Sequence, residues 1–353
     1  MKQPHIVVLG AGAVGGCVAA NLARAGGDVT IVDPWAEHVE AIRKNGFRLS
    51  GTQGEHLVQV PAFHICDVQK LIAKPIDIAF ISTKAFDTAW AVTLLKDYLS
   101  PTGFVVSLQN GLNESQIANI VGWGKTVGCV INTLGVRLVE PGHVARDRTP
   151  GGAKHAVFRL GEINGLVTDR AKDLTRRMEA IDSAIVTTNL WGERWSKLVV
   201  NAMQMGILGA TGMTKKETLD WDKSRTLSIR ASAEGVHVGR ALGYEISPIV
   251  KVAPDEWISA AAGDLNSIRA IDEAYEGYLN RLTPSGRNQR DSMGRDAMAG
   301  RRTEVEFLNG LIATKGEEIG IPVPVNRGLT SIIKRIERHE IKPSRDNILP
   351  LCT

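Results

Sequence analysis

The segment Ile6–Gly15, with the sequence IVVLGAGAVG, decides how the first part of this chain folds. Its four leading apolar residues, three of them β-branched, are typical of a buried parallel strand. A G-x-G-x-x-G follows directly, at the point where a tight turn opens a helix. In that arrangement Gly10 makes the turn, Gly12 lets a pyrophosphate approach the backbone, and Gly15 lets the helix pack close to the strand.

The residues after the glycines complete a dinucleotide-binding pattern. The first turn of the predicted helix, with Ala13 and Val14, presents unpaired N–H groups and a partial positive charge to phosphates. A second strand, Val29–Val32, ends at Asp33, which lies 18 residues past Gly15. That spacing is close to the roughly 20 residues expected for a carboxylate that binds a ribose. The alternative is a merely glycine-rich turn, and the order of strand, glycines, helix, strand and acid weighs against it.

Asp33 also indicates which dinucleotide is bound. Its carboxylate can accept hydrogen bonds from the 2′-hydroxyl of NAD, whereas it repels the 2′-phosphate of NADP. Pro34 follows, where an arginine could have received that phosphate, and Arg43 and Lys44 are expected on the solvated face of a helix. NAD is therefore the preferred cofactor and NADP the alternative.

Length and composition bound the class of protein. At 353 residues the chain is long enough for two domains. Its net charge is only +4 and its basic residues are scattered, which argues against a nucleic-acid groove and suits an anionic small substrate. The four cysteines show no C-x-x-C spacing, which predicts a reducing compartment without disulfides, and no metal site is predicted. We find no signal peptide and no apolar run of membrane-spanning length, so we expect a cytoplasmic protein without a membrane anchor.

Strands alternate with helices over the rest of the first part. Strands are predicted at 76–82, 104–108 and 126–132, a short edge strand around 58–60, and helices at 36–45 and 87–99. Further strands near 156–160 and 184–187, with a helix at 169–181, are expected to extend the same domain. Such alternation is typical of a parallel, doubly wound sheet. We assign it to a first, dinucleotide-binding domain comprising residues 1–188.

Two polar residues follow the carboxyl ends of predicted strands. Ligands of doubly wound sheets bind at this edge, so Lys84 and Asn110 are expected to point at the cofactor crevice. The alternative for Lys84 is a surface lysine at a strand end. The alternative for Asn110, which precedes Gly111, is a simple turn former.

From Leu190 onwards the pattern is helical, and residues 189–353 are assigned to a second domain. An apolar stripe recurs every three or four residues, as in a buried helix, at Trp191, Trp195, Leu198, Ala202, Met205 and Gly209. Lys197 and Asn201 interrupt it, four residues apart and therefore on one face. Burying an unpaired lysine is costly, so Lys197 is expected to line a wet or ligand-filled cleft. The alternative is a lysine that snorkels from the edge of a core helix.

The end of the chain contains further helices and two more candidate polar groups. Helices are predicted at 226–242, 292–319 and 329–339, with a loose tail at 341–353. The segment 247–288 is polar and irregular, and its prolines at 248, 254 and 284 predict short helices and loops. Ser292 stands near a helix start, where it either helps to hold a carboxylate or is a plain N-cap. Glu304 lies beside an apolar stripe, and its alternative is an exposed ion pair with Arg301.

Taken together, these motifs resemble those of the ketopantoate reductase (2-dehydropantoate 2-reductase) family over nearly the whole chain. The matching elements are Gly10–Gly15, Ser82–Lys84, Ser107–Gly111, Trp195–Leu198 with Asn201, and Ser292-Met293 followed by Thr303-Glu304. The resemblance implies a Rossmann-like, doubly wound α/β domain followed by an all-α domain, which is the 6-phosphogluconate-dehydrogenase-like arrangement. It also implies that the substrate lies in the cleft between the two domains.

The same resemblance implies roles for individual residues. Lys197 matches the family's general acid, which protonates the carbonyl oxygen of a 2-oxo acid as hydride arrives from the nicotinamide. Glu304 is expected to orient this lysine or to bond the substrate hydroxyl, and Lys84 to lie beside the cofactor. The substrate is positioned by Asn110, Asn201 and Ser292.

Three departures from the family pattern favour a different cofactor and a bulkier substrate. The family uses NADPH through an arginine just after the second strand, where this chain has Asp33-Pro34. A second substrate-binding asparagine is replaced by Met205, and the neighbouring Gln204 points about 100° away. The irregular segment is longer than usual and carries two aromatic residues, Trp257 and Tyr275.

The first functional hypothesis is the reduction of ketopantoate, or of a bulkier 2-oxo acid, with hydride from NADH or NADPH. A second is an NAD-dependent D-2-hydroxyacid dehydrogenase working in the oxidative direction, and a third is a β-hydroxyacid or opine dehydrogenase. A fourth is a regulatory protein that binds NAD without turnover, against which the polar residues on buried helices argue. The sequence also allows a homodimer.

Overall fold

The computed structural model describes residues 3–151, 156–280 and 284–352. Contacts divide the chain into two units, Met1–Leu190 and Trp191–Thr353. The first unit is built on β-sheets, and the second is built from helices. This architecture confirms the predicted α/β domain followed by an all-α domain.

Two sheets form the first unit. Its strands in the described residues are β1 (His5–Leu9), β2 (Asp28–Asp33), β3 (Phe47–Gly51), β4 (His56–Val58), β5 (Ala62–His64), β6 (Ile76–Ile81), β7 (Leu99–Ser107), β8 (Thr126–Ile131), β9 (Val136–Glu140), β10 (His143–Arg146), β11 (Phe158–Glu162) and β12 (Ala184–Val186). The main sheet has the order β12-β11-β8-β7-β6-β1-β2-β5, and the smaller sheet has the order β4-β3-β10-β9.

The main sheet is parallel from β8 to β5, as the alternation of strands and helices predicts. Strands β11 and β12 form the predicted extension of this domain: β11 pairs with β8 in the antiparallel sense, and β12 is parallel to β11. The chain between β8 and β11 forms the β9–β10 hairpin instead of a crossover helix, so β11 returns in the opposite direction. Along β1, Ile6 and Val8 enter one hydrophobic cluster and Val7 and Leu9 the other, so both faces of the sheet are covered.

Five α-helices accompany these strands in the described part of the first unit: α1 (Ala13–Arg24), α2 (Ala36–Asn45), α3 (Thr88–Leu95), α4 (Glu114–Val121) and α5 (Asp169–Met178). The predicted helix over 87–99 is wrong in its extent, because it is an α-helix flanked by two 3-10 turns and Leu99 already begins β7. The short edge strand predicted around 58–60 is present with different bounds: β4 spans His56–Val58 and lies at the edge of the smaller sheet. Non-local pairing decides both boundaries, and a local pattern cannot show it.

The second unit consists of helices in its described residues. They are α6 (Leu190–Thr211, whose first residue closes the first unit), α7 (Lys215–Asp220), α8 (Asp222–Ala241), α9 (Pro254–Ala261), α10 (Leu265–Asn280), α11 (Pro284–Arg287), α12 (Ser292–Met298), α13 (Asn309–Glu318) and α14 (Pro324–Glu337), with 3-10 turns at Val305–Phe307 and Arg345–Leu351. No helix in the described ranges combines the length and apolar character that crossing a membrane requires.

Three predictions for this unit are wrong in detail. The helix predicted over 292–319 is interrupted after Met298, where Gly300 adopts a φ of +65° that ends the helix. The segment 247–288 contains helices and loops as predicted, but α10 is 16 residues long, and Pro254 lies in the first turn of α9 instead of breaking a helix. Residues 281–283 of that segment lie outside the described residues.

The third error concerns the end of the chain, which is packed and not a loose tail. Ile348 is fully buried, and a side chain at Gly328 would collide with Leu351. The Arg230 guanidinium donates a hydrogen bond to the Leu351 carbonyl at 2.8 Å. Thr353, at the end of this predicted tail, lies outside the described residues.

Candidate active site

The glycine turn has the geometry that each of its residues was predicted to need. Gly10 has a φ of +93°, which favours glycine. A Cβ atom on Gly15 would lie 2.0 Å from the Gly10 carbonyl oxygen, so only glycine lets α1 approach the turn. A Cβ on Gly12 would meet nothing within 4 Å, so the backbone there faces open space. Helix α1 starts at Ala13 without a side-chain cap, which suits a bound pyrophosphate.

Asp33 ends β2 as predicted, and it also braces the glycine turn. One carboxylate oxygen accepts a hydrogen bond from the Ala11 N–H at 2.6 Å, and the other accepts one from the Trp35 N–H at 2.8 Å. A carboxylate has about four acceptor positions, so it can still receive a ribose hydroxyl. Asp33 is therefore a structural brace as well as a candidate cofactor ligand.

A buried histidine joins this turn to the smaller sheet. His38 Nε2 lies 2.9 Å from the Ala11 carbonyl oxygen, and the Gly142 N–H donates to His38 Nδ1 at 3.0 Å. These partners require a neutral ring with its proton on Nε2. Burial lowers the pKa of His38, with Asp33 opposing this effect, so the neutral form is maintained. The Trp35 ring stacks on His38 with 5.3 Å between centroids. Sequence analysis missed His38 because its partner Gly142 is 104 residues away.

Lys84 and Asn110 follow β6 and β7, and a buried glutamine connects the two segments. The Gln109 amide nitrogen donates to the carbonyl oxygens of Thr83 and Lys84 at 3.0 and 3.1 Å. The Asn113 side chain in turn donates to the Asn110 carbonyl at 2.7 Å. Lys84 and Asn110 are both half-buried. Asn110 does precede a turn at Gly111, whose φ is +83°, so its turn-forming alternative describes the backbone correctly.

In the second unit, anchors on other helices fix the rotation of α6. The Trp195 indole donates to the Gly235 carbonyl of α8 at 2.8 Å, and any side chain on Gly239 would collide with this indole. The Asn309 amide donates to the Ala202 carbonyl at 2.9 Å. The predicted apolar stripe is buried except at its first position, Trp191, which is half-buried.

Lys197 lies on this anchored helix, and Asn201 follows one turn later. Asn201 is buried, whereas the Lys197 side chain keeps some exposed surface. Over the described ranges, the Lys197 ammonium has no hydrogen-bond or ion-pair partner. Burial nevertheless lowers the pKa of Lys197 to about 8, and the charge of Lys215 contributes to the lowering. Such a lysine holds and releases a proton near neutral pH.

Ser292 is the first residue of α12 and not its N-cap. The capping residue is Asp291, whose carboxylate accepts from the Gly294 N–H at 2.8 Å. The plain N-cap alternative for Ser292 is therefore wrong. Its hydroxyl has no protein hydrogen bond among the residues that the structure describes.

Glu304 lies in the loop between α12 and the next 3-10 turn, and it is buried. The alternative of an exposed pair with Arg301 is wrong, because the Arg301 guanidinium binds Asp296 at 3.0 and 2.7 Å. On the other side of the loop, the Thr303 N–H and hydroxyl both donate to Glu337 at 2.7 Å. Glu304 is thus held in a braced turn, which sequence analysis mistook for a continuous helix.

The aromatic residues of the longer segment do not form a pocket. Trp257 and Tyr275 are buried in the core of the second unit and pack edge to face, with 6.0 Å between ring centroids. The Tyr275 hydroxyl lies 2.9 Å from the Ser228 hydroxyl. Met205 is also buried, and Gln204 is half-buried. The two aromatic residues therefore give no support to a bulkier substrate.

Comparison with known protein families now identifies the family. The model for "Ketopantoate reductase PanE/ApbA" matches residues 6–158, and the model for "Ketopantoate reductase PanE/ApbA C terminal" matches residues 189–337. The chain belongs to the ketopantoate reductase family. It is therefore an oxidoreductase that acts on CH–OH groups, which sets aside the regulatory alternative.

Curated relatives and solved structures agree with this assignment. The 2-dehydropantoate 2-reductase of Archaeoglobus fulgidus is 29% identical over 348 residues, which cover 96% of this chain and 99% of that protein. The enzyme of the same name from Pyrococcus horikoshii is 29% identical over 336 residues, which cover 94% of this chain and 97% of that protein. The crystal structure of a PanE/ApbA family ketopantoate reductase from Ralstonia eutropha has a TM-score of 0.76 at 25% identity. The match covers 95% of this chain and 99% of that one.

A further structure has a similar fold. A D-mandelate dehydrogenase in a ternary structure with NADH and anilino(oxo)acetate has a TM-score of 0.77 at 19% identity. The match covers 95% of this chain and 99% of that one. In the part of our chain that the structure describes, no group of three or more His, Cys, Asp or Glu residues could hold a metal ion.

Proposed function

We propose that this protein reduces a 2-oxo acid, ketopantoate or a bulkier relative, to the corresponding 2-hydroxy acid with NADH as cofactor. Residues 1–188 bind the dinucleotide, and residues 189–353 provide the general acid and most of the substrate contacts. Membership of the ketopantoate reductase family supports the reaction class. The single observation that supports the mechanism most directly is the state of Lys197, which is half-buried, has no partner within the described residues and has a pKa of about 8.

Lys197 acts as the general acid in this proposal. Its ammonium donates a proton to the carbonyl oxygen as negative charge develops there. When bound, the nicotinamide cofactor supplies the hydride. A pKa near 8 keeps most of the lysine protonated at neutral pH and still makes the proton easier to transfer than from an ordinary lysine.

The other polar groups hold the substrate in position for this transfer. We assign Asn110, Asn201 and Ser292 to the 2-oxo acid, because amide and hydroxyl groups can bond both carbonyl and carboxylate oxygens. Lys197 forms no ion pair with any described residue, so of the two roles predicted for Glu304 we propose the bond to the substrate hydroxyl. The braced loop around Glu304 supports this role, since a positioning group must itself be fixed.

The first unit offers a suitable cradle for the dinucleotide. The open face at Gly12 and the uncapped start of α1 suit the pyrophosphate, with the backbone N–H groups of Ala13 and Val14 in that first turn. Asp33 is assigned to the ribose, and Lys84 is assigned to a position beside the cofactor. The remaining acceptor capacity of Asp33 favours NAD, and the same carboxylate repels the phosphate of NADP.

A substrate and cofactor matrix tests the proposal. Purified protein is assayed with NADH and with NADPH against ketopantoate and a series of 2-oxo acids with bulkier side chains. We expect turnover of at least one 2-oxo acid and a higher kcat/KM with NADH. No turnover of any 2-oxo acid contradicts the reaction, whereas a large preference for NADPH contradicts only the inference from Asp33.

A further inference from the structure

A 2-oxo acid carries a carboxylate that needs its own positive partner, since Lys197 is assigned to the ketone oxygen. A buried anion without a cation or hydrogen-bond donors is costly. Ser292 and Asn201 can donate hydrogen bonds but carry no charge. A second cation near Lys197 in the second unit would offset the charge that these donors leave uncompensated.

Lys215 is such a cation. It is half-buried at the first position of α7, and its ammonium has no hydrogen-bond or ion-pair partner among the residues described. Lys216, the next residue, is exposed and forms an ion pair with Asp220 one turn later. Two neighbouring lysines of one short helix therefore differ in the property that matters: one has a carboxylate partner and the other has none.

Backbone contacts bring Lys215 to the segment that leads into Ser292. Helix α6 ends at Thr211, and the next residue, Gly212, has a φ of +71° and redirects the chain. The Arg290 side chain donates to the Gly212 carbonyl at 2.6 Å, and the Lys215 N–H donates to the Gln289 carbonyl at 3.2 Å. These two hydrogen bonds tie the two segments together just before α12.

The start of α12 lies against the same end of α6. A Cβ atom on Gly209 would be 3.0 Å from the Met293 side chain, so the helices are in close contact there. Met293 is adjacent to Ser292, whose hydroxyl lacks a protein partner over the described ranges. The chain segments that carry Lys215 and Ser292 are therefore held together, and each segment contributes a polar side-chain group without a partner among the described residues.

Lys215 also lies close enough to influence Lys197. Its charge contributes, after burial, to the lowered pKa of Lys197, and no described carboxylate pairs with either ammonium. Two partly buried like charges repel each other. An anion placed between them removes that repulsion, which is how a cluster of this kind selects a negatively charged ligand.

We propose that Lys215 binds the carboxylate of the substrate, beside the ketone oxygen that Lys197 protonates. This inference rests on the proposed 2-oxo acid reduction and adds the residue that selects an acid over a neutral ketone. Lys215 is thus a specificity-determining residue, which sequence analysis did not identify.

The test compares Lys215→Met with the matched variant Lys216→Met, using a 2-oxo acid and the corresponding neutral 2-oxo amide. Loss of a charge-assisted hydrogen bond predicts a rise in KM for the acid of about tenfold to a hundredfold in Lys215→Met. We expect kcat for the acid to change by less than about threefold. The KM for the amide is expected to stay the same in this variant, and Lys216→Met is expected to match the wild type with both substrates.

Two outcomes overturn the inference: an unchanged KM for the acid in Lys215→Met, or an equal rise for the acid and the amide. Lys215→Arg keeps the positive charge, so it should retain most of the affinity for the acid. This variant therefore distinguishes loss of charge from a structural defect caused by the substitution. Thermal unfolding of each variant identifies a structural defect. If the wild type reduces no 2-oxo acid, the proposed function itself fails and this inference fails with it. If the wild type is active but Lys215→Met leaves the KM for the acid unchanged, this inference alone is contradicted.

Discussion

The glycine turn of the first unit and the Lys197 region of the second unit satisfy their polar groups in opposite ways. Around the turn, Asp33 and His38 each use two hydrogen bonds to protein backbone, and Gln109 joins two strand ends in the same manner. Around Lys197, two ammonium groups have no partner within the described part of the chain. The first region is complete before any ligand binds, whereas the second contains charge that a ligand must complete.

This difference predicts how substitutions divide between stability and activity. A residue whose hydrogen bonds end on protein atoms should affect stability when it is replaced. A residue without a protein partner should affect catalysis or binding and leave stability unchanged. The following predictions, from the largest effect to the smallest, test that division.

Lys197→Met should have the largest effect on activity. Removing a general acid typically costs about a hundredfold to ten-thousandfold in kcat. Because the ammonium has no partner among the described residues, we expect the melting temperature to stay the same or rise. Steady-state kinetics, NADH titration and thermal unfolding measure the three quantities. Turnover like that of the wild type would rule out the mechanism.

Gly15→Ala and Gly12→Ala form a matched pair in the glycine turn. The new methyl group at Gly15 would lie 2.0 Å from the Gly10 carbonyl oxygen, whereas at Gly12 it meets nothing within 4 Å. We expect Gly15→Ala to destabilise the protein by at least about 1–3 kcal/mol, the usual cost of overpacking. Gly12→Ala should keep its melting temperature but lose NADH affinity, because the methyl group occupies the space offered to the pyrophosphate. Equal melting temperatures of the two variants would contradict this account.

Asp33→Ala should combine both kinds of effect. The buried Ala11 N–H loses its acceptor, which costs about 1–3 kcal/mol, and the discrimination between NADH and NADPH should fall. Asp28→Ala provides the control at the other end of β2, since Asp28 forms a surface ion pair with Lys74. Chemical denaturation and kcat/KM with each cofactor measure the two effects. A stable Asp33→Ala variant would show that the brace is unimportant.

The smallest effect concerns pH. Lys197 acts as an acid only when it is protonated, so kcat/KM for reduction should decline above about pH 8. Because the charge of Lys215 contributes to the lowered pKa, Lys215→Met should raise the pKa of Lys197 and move this decline to higher pH. The pH profile of kcat/KM, measured with the neutral 2-oxo amide, isolates the shift from substrate binding. A decline at the same pH in both proteins would show that the two lysines do not interact.

Residue order was sufficient for the parts of this protein that depend on local pattern. The strand at Ile6, the glycine turn and helix α2 with its end at Gly46 all follow from rules that act over a few residues. The roles predicted for Gly10 and Gly15 agree with the space around them. Membership of the ketopantoate reductase family was likewise visible in motifs of two to six residues.

Errors arose where distant segments compete with a local signal. The continuous helix expected over 292–319 is broken because Thr303 bonds Glu337 and Arg301 bonds Asp296, and that loop places Glu304. The tail was expected to be loose, yet contacts with α14 and Arg230 hold it. Trp257 and Tyr275 were interpreted as pocket residues, but they complete a core.

The sequence alone therefore determined the class of fold, the family and the residue types of the candidate chemistry, because turns, periodicity and short motifs are local properties. Only the tertiary structure decided which of those groups have protein partners. Asp33 meets Ala11 across 22 residues and His38 meets Gly142 across 104. The ammonium groups of Lys197 and Lys215 have no partner among the described residues, and the charge of Lys215 contributes to the lowered pKa of Lys197. Desolvation and charge act between residues that folding brings together, and no local pattern records them.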